Sequence, residues 1–355
     1  MSKSIRPTLL VGSVNLESAE AVFSTAGDIL GDSLRSVPDG ETGIRLGWFQ
    51  WQTHVMARAP FLQKASVQDP TVNTRDMSEL GQYRVRGDLS GARFDKLGYA
   101  DAAIDSYKVF AGLRAKGKIP ADVRFQVSLP TPLAPMTVMI EPQDYLKVEP
   151  IYEEAMRREI EVMCEAIPAK DLAIQWDVAS ELAILEGVIM EELAGTVMQD
   201  GAGAFSNPKQ DIVTRLGRVM SWVPENVALG LHFCYGDMDH KHFKEPKDMG
   251  VMVDLANAIF AAAPRRIDWI HMPVPRDRDD EAYFAPLKDL KKPSATQLYL
   301  GLVHHTDGLE GGKRRMNAAK RYMSDFGVAT ECGLGRRPTE TIPDVMKQMA
   351  ALAAG

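Results

Sequence analysis

The feature that most restricts the fold is a count. Eight short β-rich runs recur along the chain, at 8–11, 34–37, 124–129, 172–177, 227–233, 267–272, 297–303 and 327–331. Each is followed by a segment of helical character, and this alternation is the signature of parallel β-α units. The helical stretches show a 3.6 period. Val22, Phe23, Ala26, Ile29 and Leu30 share one face, as do Met316, Ala319, Met323 and Phe326. Thr341 with Pro343 suits the start of a closing helix over 344–353. Eight units in 355 residues favour a closed (β/α)8 TIM barrel, an architecture of about 250 residues before insertions, over an open doubly wound sheet. The extra length falls into two breaks of rhythm: an insertion at 61–98, with room for a hairpin, and a loop excursion at 195–209. The stretch 1–355 is therefore read as one α/β barrel domain with insertions.

Several function classes drop out. With 41 Lys and Arg against 48 Asp and Glu, the net charge of -7 provides no basic face for nucleic acid. The Gly-rich stretch 200–205 lacks the preceding strand that a dinucleotide site needs. No apolar run approaches the ~18 residues of a membrane span, and the N-terminus has no signal-peptide layout, so the chain reads as cytoplasmic. Three cysteines are too few and too scattered for a disulfide framework. Cys164 lies on an apolar helical face, where a small buried hydrophobe is expected.

The strand ends carry the chemistry, because barrel active sites lie at the C-terminal ends of the strands. Read in order they offer Gly12-Ser13, then Asp39-Gly40-Glu41, Gln175-Trp176-Asp177, His232-Phe233-Cys234, His271, His304-His305 and Glu331-Cys332-Gly333. His232 and Cys234 are two apart on a strand, so both side chains face one side. With Cys332 from the closing strand they can converge on a tetrahedral ion. Two thiolates and an imidazole select zinc, and three protein ligands with one open position is the usual catalytic pattern. A lone His-x-Cys is ordinarily just part of a half-buried strand; the third ligand and further histidines at matching strand ends shift the balance.

Gly12-Ser13, Gly40-Glu41, Gln175-Trp176-Asp177, His232-Phe233-Cys234-Tyr235 and Cys332-Gly333-Leu334 resemble, in the same order, islands in the catalytic barrel of cobalamin-independent methionine synthase. The resemblance covers most of the chain but only as short islands, of which His-x-Cys with a distant Cys-Gly-Leu is the specific part. It implies a zinc thiol alkyltransferase, a class whose superfamily includes corrinoid-dependent thiol methyltransferases and an epoxyalkane–coenzyme M transferase. By position it implies that His232, Cys234 and Cys332 are ligands. Ser13, Glu41 and Asp177 fall where the synthase grips the amino-acid part of its thiol, and His304 or His305 near its acid–base histidine. Where the synthase has a glutamate ligand, this chain has His271, which is expected as the further metal ligand. No counterpart of the synthase's N-terminal half is in the sequence, so methionine synthesis from methyl-folate is not expected.

The leading expectation is zinc-dependent alkyl, or methyl, transfer to a small-molecule thiol. Its alkyl donor could be a methylcorrinoid protein, an epoxide or a methoxylated aromatic. Zinc-hydroxide chemistry, as in a lyase or hydrolase, and a non-catalytic zinc-binding barrel are the alternatives. Glu41 and Asp177 favour chemistry over a purely structural site, although each could equally be a helix cap or a surface ion pair. Trp48, Phe49 and Trp51 could line an aromatic pocket or pack against the barrel wall. Arg336-Arg337 could meet an anionic group or be solvated, and His240 and His242 sit in an insertion that could cover the site.

Overall fold

The computed structural model describes residues 5–65, 81–188, 205–236 and 241–355. All eight expected strands form, as β1 (Thr8–Leu9), β2 (Ser36–Pro38), β5 (Arg124–Pro130), β6 (Leu172–Val178), β7 (Ala228–Phe233), β8 (Trp269–Pro273), β9 (Gln297–Val303) and β10 (Gly327–Thr330). They make one sheet in the order β1-β10-β9-β8-β7-β6-β5-β2, every named pair parallel. A parallel bridge from Thr8 to Leu34 joins the two ends, so the sheet curls into a (β/α)8 barrel. Part of the expected insertion at 61–98 is an antiparallel hairpin, β3 (Leu62–Lys64) with β4 (Tyr83–Val85).

Alternation along each strand divides the side chains into two sets. In β6, Ile174 and Trp176 point outward under the helices, while Ala173, Gln175 and Asp177 point into the barrel. The interior begins as a small apolar layer of Leu9, Ala173, Ala228, Trp269, Tyr299 and Ala329. Trp269 fits because its register partner is Gly230, where a Cβ would lie 1.8 Å from the indole. Above it the filling turns polar. Gln175 Nε2 donates to Asp177 Oδ1 (2.9 Å), and Gln126 Nε2 to the Leu10 carbonyl (3.1 Å). Interior polarity thus rises toward the C-terminal mouth, where Asp177, His232 and His271 stand side by side in register.

Helix Ala19–Leu30 buries Val22, Phe23, Ala26 and Leu30, and Ser18 caps it by accepting from the Ala21 amide. Two sequence-based boundaries move. The helix carrying Met316 ends at Ala319, so Met323 and Phe326 lie beyond it. The expected loop at 195–209 falls largely outside the described residues, and its last two positions already belong to helix Pro208–Ser221. The Gly-rich stretch 200–205 is outside them too, except Phe205, as is His240. Cys164 is half-buried against the core, and burial pushes its thiol up to about 11, as suits an inert packing residue. Among the described residues no helix is long and apolar enough to cross a membrane.

Candidate metal centre and substrate cavity

The ligating atoms of His232, Cys234 and Cys332 lie within 4.8 Å of one another, the one such His/Cys/Asp/Glu cluster among the described residues. β7 presents His232 and continues straight into Cys234, while Cys332 follows the end of β10. The two sulfurs are 3.6 Å apart and Cys332 Sγ is 4.0 Å from His232 Nε2. A disulfide needs about 2.05 Å between sulfurs, so the thiols are free. A tetrahedral zinc with bonds of about 2.3 Å to sulfur and 2.0–2.1 Å to nitrogen needs edges of about 3.8 and 3.6 Å, close to those present. Donor chemistry and spacing both fit zinc. The Gly236 amide donates a further hydrogen bond to Cys234 Sγ at 3.3 Å.

His271, expected as the further ligand, stands behind His232 instead. Its Nδ1 is 2.7 Å from His232 Nδ1, and its Nε2 is 3.0 Å from the Thr330 carbonyl. Both ring nitrogens are spent on hydrogen bonds, and the ring is fully buried. Burial pushes it down to about 4, against the pull of the Thr330 and Phe233 carbonyls. Burial, and then repulsion from His271, puts His232 well below its usual value. Both imidazoles are therefore neutral near pH 7.

In front of the cluster opens a cavity of about 680 Å³ lined by Ser13, Glu41, Trp48, Asp177 and Arg336 together with the three candidate ligands. Glu41 and Asp177 are both buried, and among the described residues neither has a cationic partner within salt-bridge reach. Arg45, which draws the Glu41 carboxyl down, is committed to Asp39 at 2.6 Å. Glu41 accepts from the Ser13 hydroxyl, and Asp177 accepts from Trp48 Nε1 (3.0 Å) and Gln175. Burial raises Glu41 to about 7 despite the Ser13 bond. Burial, then repulsion from Glu41, raises Asp177 well above the carboxylate range. Helix capping and surface pairing, the alternatives for these residues, are not what they do.

Glu41 (φ 49) and Trp48 (φ 62) are the positive-φ non-glycine residues of the described chain, and both line this cavity. Such backbone costs of order 1–3 kcal/mol each and is found where function holds it. Of the three aromatics considered, only Trp48 reaches the cavity. Phe49 is fully buried, and Trp51 packs edge-on to Tyr99. Phe243, which sequence reasoning missed, closes one wall by lying on Gly236, where a Cβ would meet its ring at 2.6 Å. No spacing signal marks it.

His304 and His305 line an adjoining cavity of about 480 Å³ that shares Gly236, Cys332 and Gly333 with the first. His304 Nε2 donates to the Val274 carbonyl (2.8 Å), leaving Nδ1 3.5 Å from Glu331 Oε2. Burial lowers its pKa, opposed by the Glu331 charge. His305 is exposed. Glu331 alternates away from Cys332 and also bonds His242 (2.8 Å). Burial alone would lower His242, but Glu331 and then Glu245 raise it to about 9. The Asp277–Asp280 run is a solvated helix start, Asp280 accepting from the Tyr283 amide.

These features define a (β/α)8 barrel with a soft-donor cluster able to hold a metal at its C-terminal mouth. The same fold is found in a proposed vitamin-B12-independent methionine synthase from Listeria monocytogenes (TM-score 0.57, 14% identity, 99% of this chain and 98% of that one). It is found again in a B12-independent methionine synthase from Shewanella sp. W3-18-1 in complex with selenomethionine (TM-score 0.60, 12% identity, 99% and 97%). The shared fold agrees with the resemblance carried by the motif islands. No family model matches the chain, and no curated protein matches it in sequence.

Proposed function

We propose that the protein transfers an alkyl group, in the simplest case methyl, to the sulfur of a small aminothiol, with zinc held by His232, Cys234 and Cys332. One observation carries this reading: a soft-donor triad shares one cavity with two buried carboxylates that have no salt-bridge partner among the described residues. The fold common to B12-independent methionine synthases, one of them binding selenomethionine, supports it. A zinc ion bound there would lower a thiol from its usual pKa of about 8.5 and supply thiolate at neutral pH.

The chain's own residues do the rest. Glu41 and Asp177 receive the substrate's ammonium group, whose charge relieves their mutual repulsion and lets both ionise. Ser13 and the Trp48 indole fix the two carboxylates, so the ammonium meets a preset pair. Trp48 and Phe243 exclude water beside the cluster. In the transfer the thiol S–H bond breaks and an S–C bond forms. The donor's bond to its leaving atom breaks, and that atom keeps the electron pair and takes up a proton. His304, whose bare Nδ1 faces Glu331 beside Cys332, takes the proton that the thiol gives up and passes it to the leaving atom. His305, exposed at the same rim, is the alternative for that acid–base role. Neither protein of like fold gives support to a methylcorrinoid donor.

The test is zinc-loaded protein incubated with amino-bearing and amino-free thiols of equal length and with methyl and epoxide donors, products being read by mass spectrometry. Zinc-dependent S-alkylation that prefers the aminothiols is the expected result. Hydrolysed donor with no S-alkyl product would overturn the proposal in favour of zinc-hydroxide chemistry.

A further inference from the structure

We infer that His271 is a positioning residue that locks His232 in the tautomer whose Nε2 lone pair faces the two cysteines. The reasoning needs only donor and acceptor identity. Of the two carbonyls that pull on His271, Thr330's is the stronger and meets Nε2 at 3.0 Å; since a backbone carbonyl accepts and never donates, the proton of His271 lies on Nε2. A neutral imidazole carries one proton, so His271 Nδ1 is bare and accepts. The 2.7 Å contact between the two Nδ1 atoms must then be donated by His232. With its proton on Nδ1, His232 has a bare Nε2, the atom 4.0 Å from Cys332 Sγ.

The relay spans three strands. His232 and His271 are register partners on β7 and β8, and Thr330 closes β10 two residues before Cys332. Thr330 also donates its hydroxyl to the Cys332 carbonyl at 2.7 Å, tying the relay to the loop that bears this cysteine. The carbonyl that sets the tautomer of one candidate ligand therefore belongs to the segment that places another. Two facing histidines at strand ends look like two ligands in sequence. In the folded barrel one is turned to the cluster and the other is turned back into the wall, where it holds the first.

The inference rests on the zinc reading for its consequence but not for its test. In the metal-free protein with 15N-labelled histidine, long-range 1H–15N correlation should show His232 as the Nδ1–H tautomer and His271 as Nε2–H. The reverse pattern would overturn the inference whether or not the protein binds zinc. Its consequence is read by chelator competition. His271→Ala should weaken zinc binding about 10–100-fold while one ion still binds at saturation. His271→Gln should recover most of that loss, because its amide nitrogen can donate to Thr330 and its oxygen accept from His232. Cobalt-substituted protein should show the same thiolate-to-cobalt absorption in parent and Gln variant. An unchanged zinc affinity in His271→Ala would overturn the inference. So would a coordination sphere that loses one nitrogen by X-ray absorption in the Gln variant, since that makes His271 a ligand. A parent protein that binds no zinc defeats the proposed function alone, and the tautomer measurement still decides the role of His271.

Discussion

Replacing Glu41 with Gln should make the protein more stable, and increasingly so as the pH rises. The Glu41 carboxyl sits at about 7 against an ordinary 4.5, mainly because burial penalises its charge. With about 1.4 kcal/mol per pKa unit, ionising it in the folded chain costs about 3 kcal/mol more than in the unfolded chain. Its folded-state pKa is the higher one, so the native state binds the proton more tightly. The resulting stability is fully present below pH 4.5 and is lost as pH rises through 7. Gln never ionises, yet its oxygen can still accept from Ser13. The advantage of Glu41→Gln over the parent should be about 1 kcal/mol at pH 5 and about 3 kcal/mol at pH 8. Relief of Asp177, which Glu41 repels, adds in the same direction. Unfolding entropy of ~2.1 cal/mol/K per residue over 355 residues gives ~0.75 kcal/mol/K. The widening gap of about 2 kcal/mol should therefore appear as about 3 °C in melting temperature. Scanning calorimetry of chelator-treated parent and variant at pH 5 and pH 8 measures it directly. Parallel pH profiles, or a variant less stable than the parent at pH 8, would refute the reasoning. The stabilised variant should also bind aminothiols more weakly, since it has given up one of the two counter-charges.

Cys234→Ser and Cys332→Ser should each lose most of the bound zinc by elemental analysis while the circular dichroism of the barrel is kept, because both cysteines stand just beyond their strands. Asp177→Asn should raise KM for an aminothiol roughly 10-fold or more, as loss of a hydrogen bond to a charged group does. Its zinc content and its KM for an amino-free thiol should not change. Gly230→Ala should destabilise the fold by at least about 1–3 kcal/mol in denaturant unfolding, because the added methyl collides with the Trp269 ring. Unchanged stability there would mean that the indole does not fill the barrel floor as described.

What could be read from the sequence follows the length scale of each interaction. The eight strands, their parallel order and the mouth that bears the chemistry depend on periodicities of two and 3.6 and on a count, all of them local. The convergence of His232, Cys234 and Cys332 was legible for a related reason: side chains two apart share a face, and the C-terminal ends of all the strands of a closed barrel open onto one mouth. Phe243 was not legible, since its place depends on the bare face of Gly236. Trp48 was separable from Phe49 and Trp51 only by backbone that turns to φ 62, which no composition reveals. The 3.6 period at Met316 ran past Ala319 because Met323 and Phe326 stay near the core without being helical.

His271 shows where such reading stops. A histidine at a strand end beside a His-x-Cys strand is correctly placed at the mouth, and register puts it one strand from His232. Whether it binds a metal or holds the residue that does depends on where its second nitrogen finds a partner. That partner is the Thr330 carbonyl, 59 residues away on a strand that is not a neighbour of β8 in the sheet. A carboxylate at this position could take no proton to Thr330 when ionised, and so could not run the relay; an imidazole has one proton to give and one lone pair to receive. A histidine at this position can therefore link His232 to Thr330 as a neutral hydrogen-bonded pair. At the same mouth Glu41 and Asp177, both pushed toward the neutral form by burial, line the cavity beside the cluster, where under the proposed function a substrate cation would let them ionise.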